Sequence, residues 1–164
     1  MRHAIRIGIG LPTRVAGVGG DLLLEWAARA DRGPFSSLAV TDRVAFDAQE
    51  PLVALAAAVG VTRRIRLMTS ILLAPTRETT LLARQAASID ALSGGRFILG
   101  IGPSGPQVIE GWHGVPYGRP LTRTREYIEI IRKILDRKQP LEHKGYHYQI
   151  PFMGEGSTGL GKPL

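Results

Sequence analysis

The chain has 164 residues, 44% of them hydrophobic, with 21 Lys and Arg against 14 Asp and Glu for a formal charge of +7. That apolar share supports a packed core and excludes a wholly disordered chain; no apolar run approaches the ~20 residues that span a bilayer, and the lack of cysteine excludes disulfides, thiolate metal sites and a cysteine nucleophile. The opening Met1-Arg2-His3-Ala4-Ile5-Arg6 has neither the long apolar stretch nor the cleavage site of a secretory signal, so a soluble, cytoplasmic, single-domain protein over residues 1–164 is expected.

In chain order, Ile5 to Leu11 (IRIGIGL) reads as the first buried strand, a short β-branched-rich apolar run bounded by turn residues. A helix follows, with Asp21 placed to N-cap it and Leu22, Leu23, Trp26, Ala27 and Ala30 on one face. Ser37 to Thr41 (SLAVT) is the second strand. The second helix starts at about Pro51, with Leu52, Val53, Leu55, Ala56 and Val59 at helical spacing and Gly60 as its stop. Ile65 to Leu73 (IRLMTSILL) is the third strand. The helix after it runs from about Glu78 to Leu92, turns Leu81, Leu82, Ala86, Ile89 and Leu92 inward, and ends at Ser93-Gly94-Gly95. Arg96 to Ile101 (RFILGI) is the fourth strand. The strongest helical pattern is Thr122 to Arg137, with Tyr127, Ile128, Ile130, Ile131, Ile134 and Leu135 on one side and Gln139-Pro140 as its end. Beyond Pro140 the pattern breaks into an extended segment around Tyr146-His147-Tyr148-Gln149-Ile150 and a glycine-rich loop, Gly154 to Leu164.

Strand centres about 30 residues apart mark βα units, and their alternation predicts an α/β fold with a parallel sheet and right-handed crossovers. Two architectures fit: a doubly wound open sheet, and a TIM (β/α)8 barrel of which this chain holds about the first four units, since a whole barrel needs about 250 residues. Period and composition do not separate them. In both, ligands sit at the C-terminal ends of the strands. Those ends carry Pro12-Thr13-Arg14, Asp42-Arg43, Thr69-Ser70 with Leu73-Ala74-Pro75-Thr76-Arg77, and Gly102-Pro103-Ser104-Gly105-Pro106.

Several motifs are tested by their context. Gly100 to Gly105 matches G-x-G-x-x-G after a strand, but it closes the fourth unit rather than the first, and Pro103 and Pro106 remove N–H donors that a phosphate cradle uses. Gly156 to Lys162 looks like the start of a phosphate loop, yet Pro163 stands where a magnesium-binding Ser or Thr belongs. His143 and His147 fall in an extended segment, too far apart to share a metal and without a third ligand, which reads as surface histidines and no metal. Neither Ser104 nor Ser157 has both glycines of a nucleophile elbow. The positive charge is nearly all arginine, spread along the chain; its densest group, Arg63-Arg64-Ile65-Arg66, reads as a solvated basic surface, suited to an anionic ligand rather than to nucleic acid. Asp42 is the best single acid, ending a buried strand on the ligand side. An ordinary cap or an ion pair with Arg43 accounts for it equally well.

Taken together, these segments resemble the luciferase-like monooxygenase family. The resemblance is carried by Phe35 to Asp42, Glu50 to Ala56, Arg63 through Ser70-Ile71-Leu72-Leu73-Ala74-Pro75, Gln85-Ala86-Ala87-Ser88-Ile89-Asp90 through Ser93-Gly94-Gly95-Arg96-Phe97, Leu99-Gly100-Ile101-Gly102, Arg123 to Tyr127 and Gly145-Tyr146-His147-Tyr148. It implies a TIM barrel, of which this would be the N-terminal half, and an oxidoreductase performing hydride transfer or monooxygenation on a small organic substrate. It implies coenzyme F420, to which the stretch Ser104 to Trp112 leans, or FMN as cofactor. By position, Ser70–Ile71 matches the family's cis bond at the strand-three bulge behind the ring, Leu73 lies in the same bulge, Asp42 matches the polar position beside the ring, and Ser104 and Gly105 match the turn over it. Two positions depart from the pattern: Pro106 replaces the glutamate that many F420-dependent dehydrogenases use as proton donor, and Arg43 replaces a histidine found in some. The alternative is a non-catalytic half-barrel that pairs with itself or with a missing C-terminal half. Either reading makes a homo-oligomer, or dependence on that half, the expected assembly.

Overall fold

A computed structural model of the chain describes residues 5–43 and 46–151. In chain order its elements are β1 (Gly8–Gly10), α1 (Gly20–Arg32), β2 (Ser37–Val40), α2 (Pro51–Val61), β3 (Arg66–Thr69), β4 (Leu72–Leu73), α3 (Thr79–Ser93), β5 (Phe97–Ile98), β6 (Ile101–Gly102), α4 (Pro106–Ile109), α5 (Pro120–Asp136), β7 (His143–Lys144) and β8 (Gln149–Ile150); a 3-10 turn, Ala74–Thr76, lies between β4 and α3. They gather into two compact units, Met1–Leu72 with Gln85–Gly102, and Leu73–Arg84 with Pro103–Leu164. The glycine-rich loop from Gly154 and the phosphate-loop reading at Gly156 to Lys162 lie outside the described residues.

The first unit is built on a four-stranded sheet of order β1-β2-β3-β5, parallel throughout. Ile9, Leu38, Leu67 and Phe97 stand in register across it and join one core with Leu23, Ala27 and Ala30 of α1 and Ala54, Leu55 and Ala58 of α2. Leu38, Leu55, Ile65 and Leu67 are fully buried, each contributing about 1.5–3 kcal/mol. Side chains alternate across a strand, so Gly10, Ala39, Met68 and Ile98, the next register layer, face the other side of the sheet.

The junction between α2 and β3 shows what holds this unit at the N-terminal ends of its strands. Asp31, at the end of α1, accepts the backbone N–H groups of Arg63, Arg64 and Ile65 at 3.0, 2.9 and 2.7 Å. Arg64 returns its guanidinium to the carbonyls of Asp31 (3.0 and 2.6 Å), Gly33 (2.7 Å) and Phe35 (3.0 Å), and Arg63 donates to the carbonyl of Thr62 at 2.9 Å. Free carbonyls at a helix end need donors, so Arg63 and Arg64, though exposed to solvent as expected, also serve as structural caps.

Other expectations are corrected at the element ends. Gly19, not Asp21, is the N-cap of α1; Asp21 sits in the first turn, where a carboxylate favours the helix dipole. Gly60 does not stop α2, which continues to Val61 and ends on Thr62. The first strand is shorter than Ile5 to Leu11, and Ile5 and Ile7 are exposed. Strands three and four are each split in two, at Ser70–Ile71 and at Leu99-Gly100. Leu22, Trp26, Val53, Leu81, Leu92 and Leu135 lie exposed rather than inward; Trp26 spends its indole N–H on the Gly10 carbonyl at 3.0 Å.

In the second unit, α5 buries Glu126, Tyr127, Ile130 and Ile131, and β7 and β8 form an antiparallel hairpin. The Tyr127 hydroxyl donates to the Arg77 carbonyl at 3.3 Å, and its ring meets Tyr148 edge-on at 6.1 Å.

Candidate active site at the strand ends

At the C-terminal end of the parallel sheet, backbone bonds continue past the strands and bring three of the expected residues together. The Ser70 N–H donates to the Val40 carbonyl at 2.7 Å, and the Asp42 N–H donates to the Ile71 carbonyl at 3.3 Å. The Ser70–Ile71 peptide is cis, as the resemblance implies. Asp42 is only 3% exposed, whereas Ser70 is exposed and so is Ile71, at 40%. A carboxylate residue is therefore fixed by its main chain beside an accessible bulge.

The neighbouring strand end explains two glycines. Gly100 approaches so closely that a Cβ would run into the Thr69 carbonyl oxygen, and a Cβ on Gly102 would run into the end of the Ile71 side chain. Thr69, fully buried, closes the contact with both lone pair and proton: its hydroxyl donates to the Gly100 carbonyl at 2.7 Å and accepts the Gly100 N–H at 2.9 Å. The same carbonyl accepts the Leu72 N–H at 2.8 Å. Sequence reasoning placed Thr69 with Ser70 among the polar strand ends but gave it no structural role. Its signal was a lone hydroxyl on the helix-covered face of an apolar strand, where a buried polar group needs partners. Thr13, at the end of the first strand, is likewise 4% exposed.

The remaining expected residues belong to the second unit. Leu73 is buried at the head of the 3-10 turn, its carbonyl accepting the Thr76 hydroxyl at 2.8 Å. Ser104 holds φ 60°, the left-handed region that costs a non-glycine residue about 1–2 kcal/mol, and its carbonyl accepts the Tyr117 hydroxyl at 2.5 Å. Gly105 is the N-cap of α4, with Pro106 in the first turn, so the proline at the position where the resemblance implies a glutamate in many F420-dependent dehydrogenases starts a helical turn.

Of the two histidines read as surface residues, His143 is buried and His147 is half-buried. His143 is 7% exposed, its Nε2 3.5 Å from a Glu126 oxygen; the His147 ring Nδ1 lies 3.3 Å from the Arg123 guanidinium. The organising group, missed from sequence, is Glu126. Its carboxylate accepts the backbone N–H groups of Tyr146, His147 and Tyr148 at 2.8, 2.9 and 3.1 Å. Burial pushes this carboxyl up, but those three donors with His143 beside them outweigh it and hold it below the usual carboxylate range. Gly145 belongs to the same knot, since a Cβ there would collide with Glu126 and His143. Among the described residues no group of three or more His, Cys, Asp or Glu is placed to hold a metal, and no helix is long and apolar enough to cross a membrane.

The profile of the luciferase-like monooxygenase family matches residues 5–159. A Mycobacterium tuberculosis protein assigned as a coenzyme F420-dependent oxidoreductase is 44% identical over 140 residues, covering 85% of this chain and 40% of the relative. Two solved structures share the fold. The oxygenating constituent of 3,6-diketocamphane monooxygenase from Pseudomonas putida, in complex with FMN, superposes with TM-score 0.76 at 22% identity, covering 89% of this chain and 44% of that one. The coenzyme F420-dependent tetrahydromethanopterin reductase of Methanopyrus kandleri gives 0.72 at 23% identity, covering 90% and 44%. The chain thus spans less than half the length of each protein it matches here. The split third strand and the parallel βα order find their common explanation in that match: the chain belongs to the luciferase-like monooxygenase family.

Proposed function

We propose that the C-terminal strand ends of the first unit form the ring side of a deazaflavin or flavin site, coenzyme F420 first and FMN second, in an oxidoreductase acting on a small organic substrate by hydride transfer or monooxygenation. The four βα units would be the first four of a (β/α)8 barrel. One observation carries the reading: buried Asp42 is held by its own N–H on the Ile71 carbonyl, at strand ends where Gly100 and Gly102 let the backbone close against Thr69 and Ile71. The layer on the open side of the sheet fits a flat ring, because Gly10 and Ala39 carry little or no side chain and a Cβ on Gly10 would meet only empty space.

When bound, the cofactor supplies the hydride or the oxygen chemistry. The residues of this chain orient it. Ile71, with Ser70, forms a wall behind the ring, and Asp42 is the candidate proton-handling group beside it. Leu73, Ser104 and Gly105, to which the family motif also assigns ring contacts, belong to the second unit. The enzymatic reading is preferred to a non-catalytic half-barrel because the relatives that match are named as oxidoreductases and monooxygenases.

The test is a fluorescence titration of the chain with oxidised and reduced F420 and FMN, repeated with Asp42→Ala. Saturable binding that weakens about tenfold in the variant is expected, equivalent to about 1.4 kcal/mol. Absence of binding by either cofactor at high micromolar concentration overturns the reading for this chain.

A further inference from the structure

Past the C-terminal ends of β1 and β2, two arginines gather on one aromatic ring. The guanidinium carbons of Arg14 and Arg43 lie 5.8 and 5.9 Å from the centroid of the Phe46 ring, within cation–π range. Phe46 is 53% exposed, and both arginines are exposed. Two like charges on one ring repel, so the arrangement wants a counter-charge. Among the described residues neither guanidinium has an ion pair or a hydrogen-bond acceptor, in contrast to Arg63, Arg64 and Arg96, which are spent on backbone carbonyls.

Of the nearby acids, Asp42 is buried and Glu50 caps α2 by accepting the Val53 N–H at 2.8 Å. Asp47 is exposed one residue past Phe46, a single negative charge beside two positive ones. The two loops meet where the Gln49 N–H donates to the Thr13 carbonyl at 3.2 Å, and the Phe46 N–H donates to the Arg43 carbonyl at 3.1 Å. Val15, 58% exposed, and Ile71 add apolar surface at the same strand ends.

We propose that Arg14 and Arg43, seated on Phe46, select the substrate: an organic acid with a carboxylate on a flat, apolar body. The guanidiniums would receive the carboxylate in their planar forks, and Phe46 and Val15 would cover the body. This rests on the strand ends being the ligand side, as in the function proposed above, and it requires no particular cofactor.

The experiment compares two probes of the same shape on the full chain, 2-naphthoate and the neutral 2-naphthamide, by calorimetry and by NMR of the arginine Nε–H signals. Naphthoate is expected to bind about tenfold more tightly, to shift the Arg14 and Arg43 signals, and to lose that preference in 0.5 M salt, roughly where screening is short-ranged. In Arg14→Met/Arg43→Met the gap between the probes should fall to about twofold or less; both side chains are exposed, so folding is not at stake, and an unchanged heteronuclear spectrum elsewhere checks it. Equal affinities in the parent chain, no naphthoate binding, or a gap that survives the double substitution overturns the proposal. If F420 and FMN both fail to bind while the naphthoate preference is present, the cofactor reading is wrong and the anion selection stands; cofactor binding without the preference has the opposite meaning.

Discussion

Replacing Thr69 tests whether the strand ends are held by a polar clasp or by apolar packing. The side chain is fully buried, and its hydroxyl makes both bonds to Gly100. Thr69→Val keeps the shape and adds apolar character, but it removes the acceptor of the Gly100 N–H; the Gly100 carbonyl retains the Leu72 N–H. An orphaned buried N–H costs about 1–3 kcal/mol, and the lost donor bond adds about 0.5–1.5 kcal/mol, so about 2–3 kcal/mol of destabilisation is expected. Thr69→Ser keeps both bonds and loses one buried methyl group, about 1 kcal/mol. The assay is urea unfolding followed through Trp26, in a Trp112→Phe background so that the signal reports the first unit. With a slope of about 1–3 kcal/mol/M, the valine variant should unfold roughly 1 M earlier and the serine variant at about half that shift. Hydrophobic burial alone predicts the reverse order. A valine variant as stable as the serine variant, or more so, refutes the clasp.

The remaining predictions concern the second unit. Glu126→Gln should cost about 1–3 kcal/mol, read as faster amide exchange at Tyr146 to Tyr148, because an amide replaces one acceptor oxygen with a donor facing N–H groups. The folded Glu126 carboxyl is held below its usual value, so its contribution is complete above the unfolded pKa of about 4.3 and is lost as pH falls through the lower folded value; the glutamine variant should lack that acid-dependent part of its unfolding curve. Arg137→Gly should stabilise α5 by about 1 kcal/mol in thermal unfolding, since Arg137 closes that helix at φ 50°.

Much of the βα order was legible because each strand is a short apolar run between turn residues and each helix has a buried face. What misled was the width of those faces. Leu22, Val53, Leu81 and Leu92 fit a helical period as well as their buried neighbours do, yet they lie exposed; periodicity alone does not report how far a helix is covered. The breaks within strands three and four were invisible for another reason. They depend on Gly100 and Gly102 meeting Thr69 and Ile71 across about 30 positions of sequence, a pairing that no local pattern contains. Ser70–Ile71 was placed by family resemblance, not by the residues themselves. Glu126 did leave a trace, a charge inside the apolar stripe formed by Tyr127, Ile130 and Ile131, and its three N–H partners show why it tolerates burial.

The carboxylates divide the labour of the first unit along the strand direction. At the N-terminal ends, Asp31 binds three consecutive N–H groups just before β3, and Arg64 satisfies the carbonyls that follow α1. Burial works against the Asp31 carboxylate, yet the N–H groups of Ile65, Arg64 and Arg63 and the Arg64 charge hold it below its ordinary value, so its chemistry is committed to holding structure. At the C-terminal ends, the Asp42 main chain is fixed on Ile71 while Ser70, Ile71, Arg14 and Arg43 remain exposed. In parallel α/β folds residues at the first end serve stability and those at the second serve ligands. Here the contrast can be read from individual arginines: Arg63 and Arg64 are consumed by carbonyls at one end, while Arg14 and Arg43 at the other keep their charge for something that comes from solution.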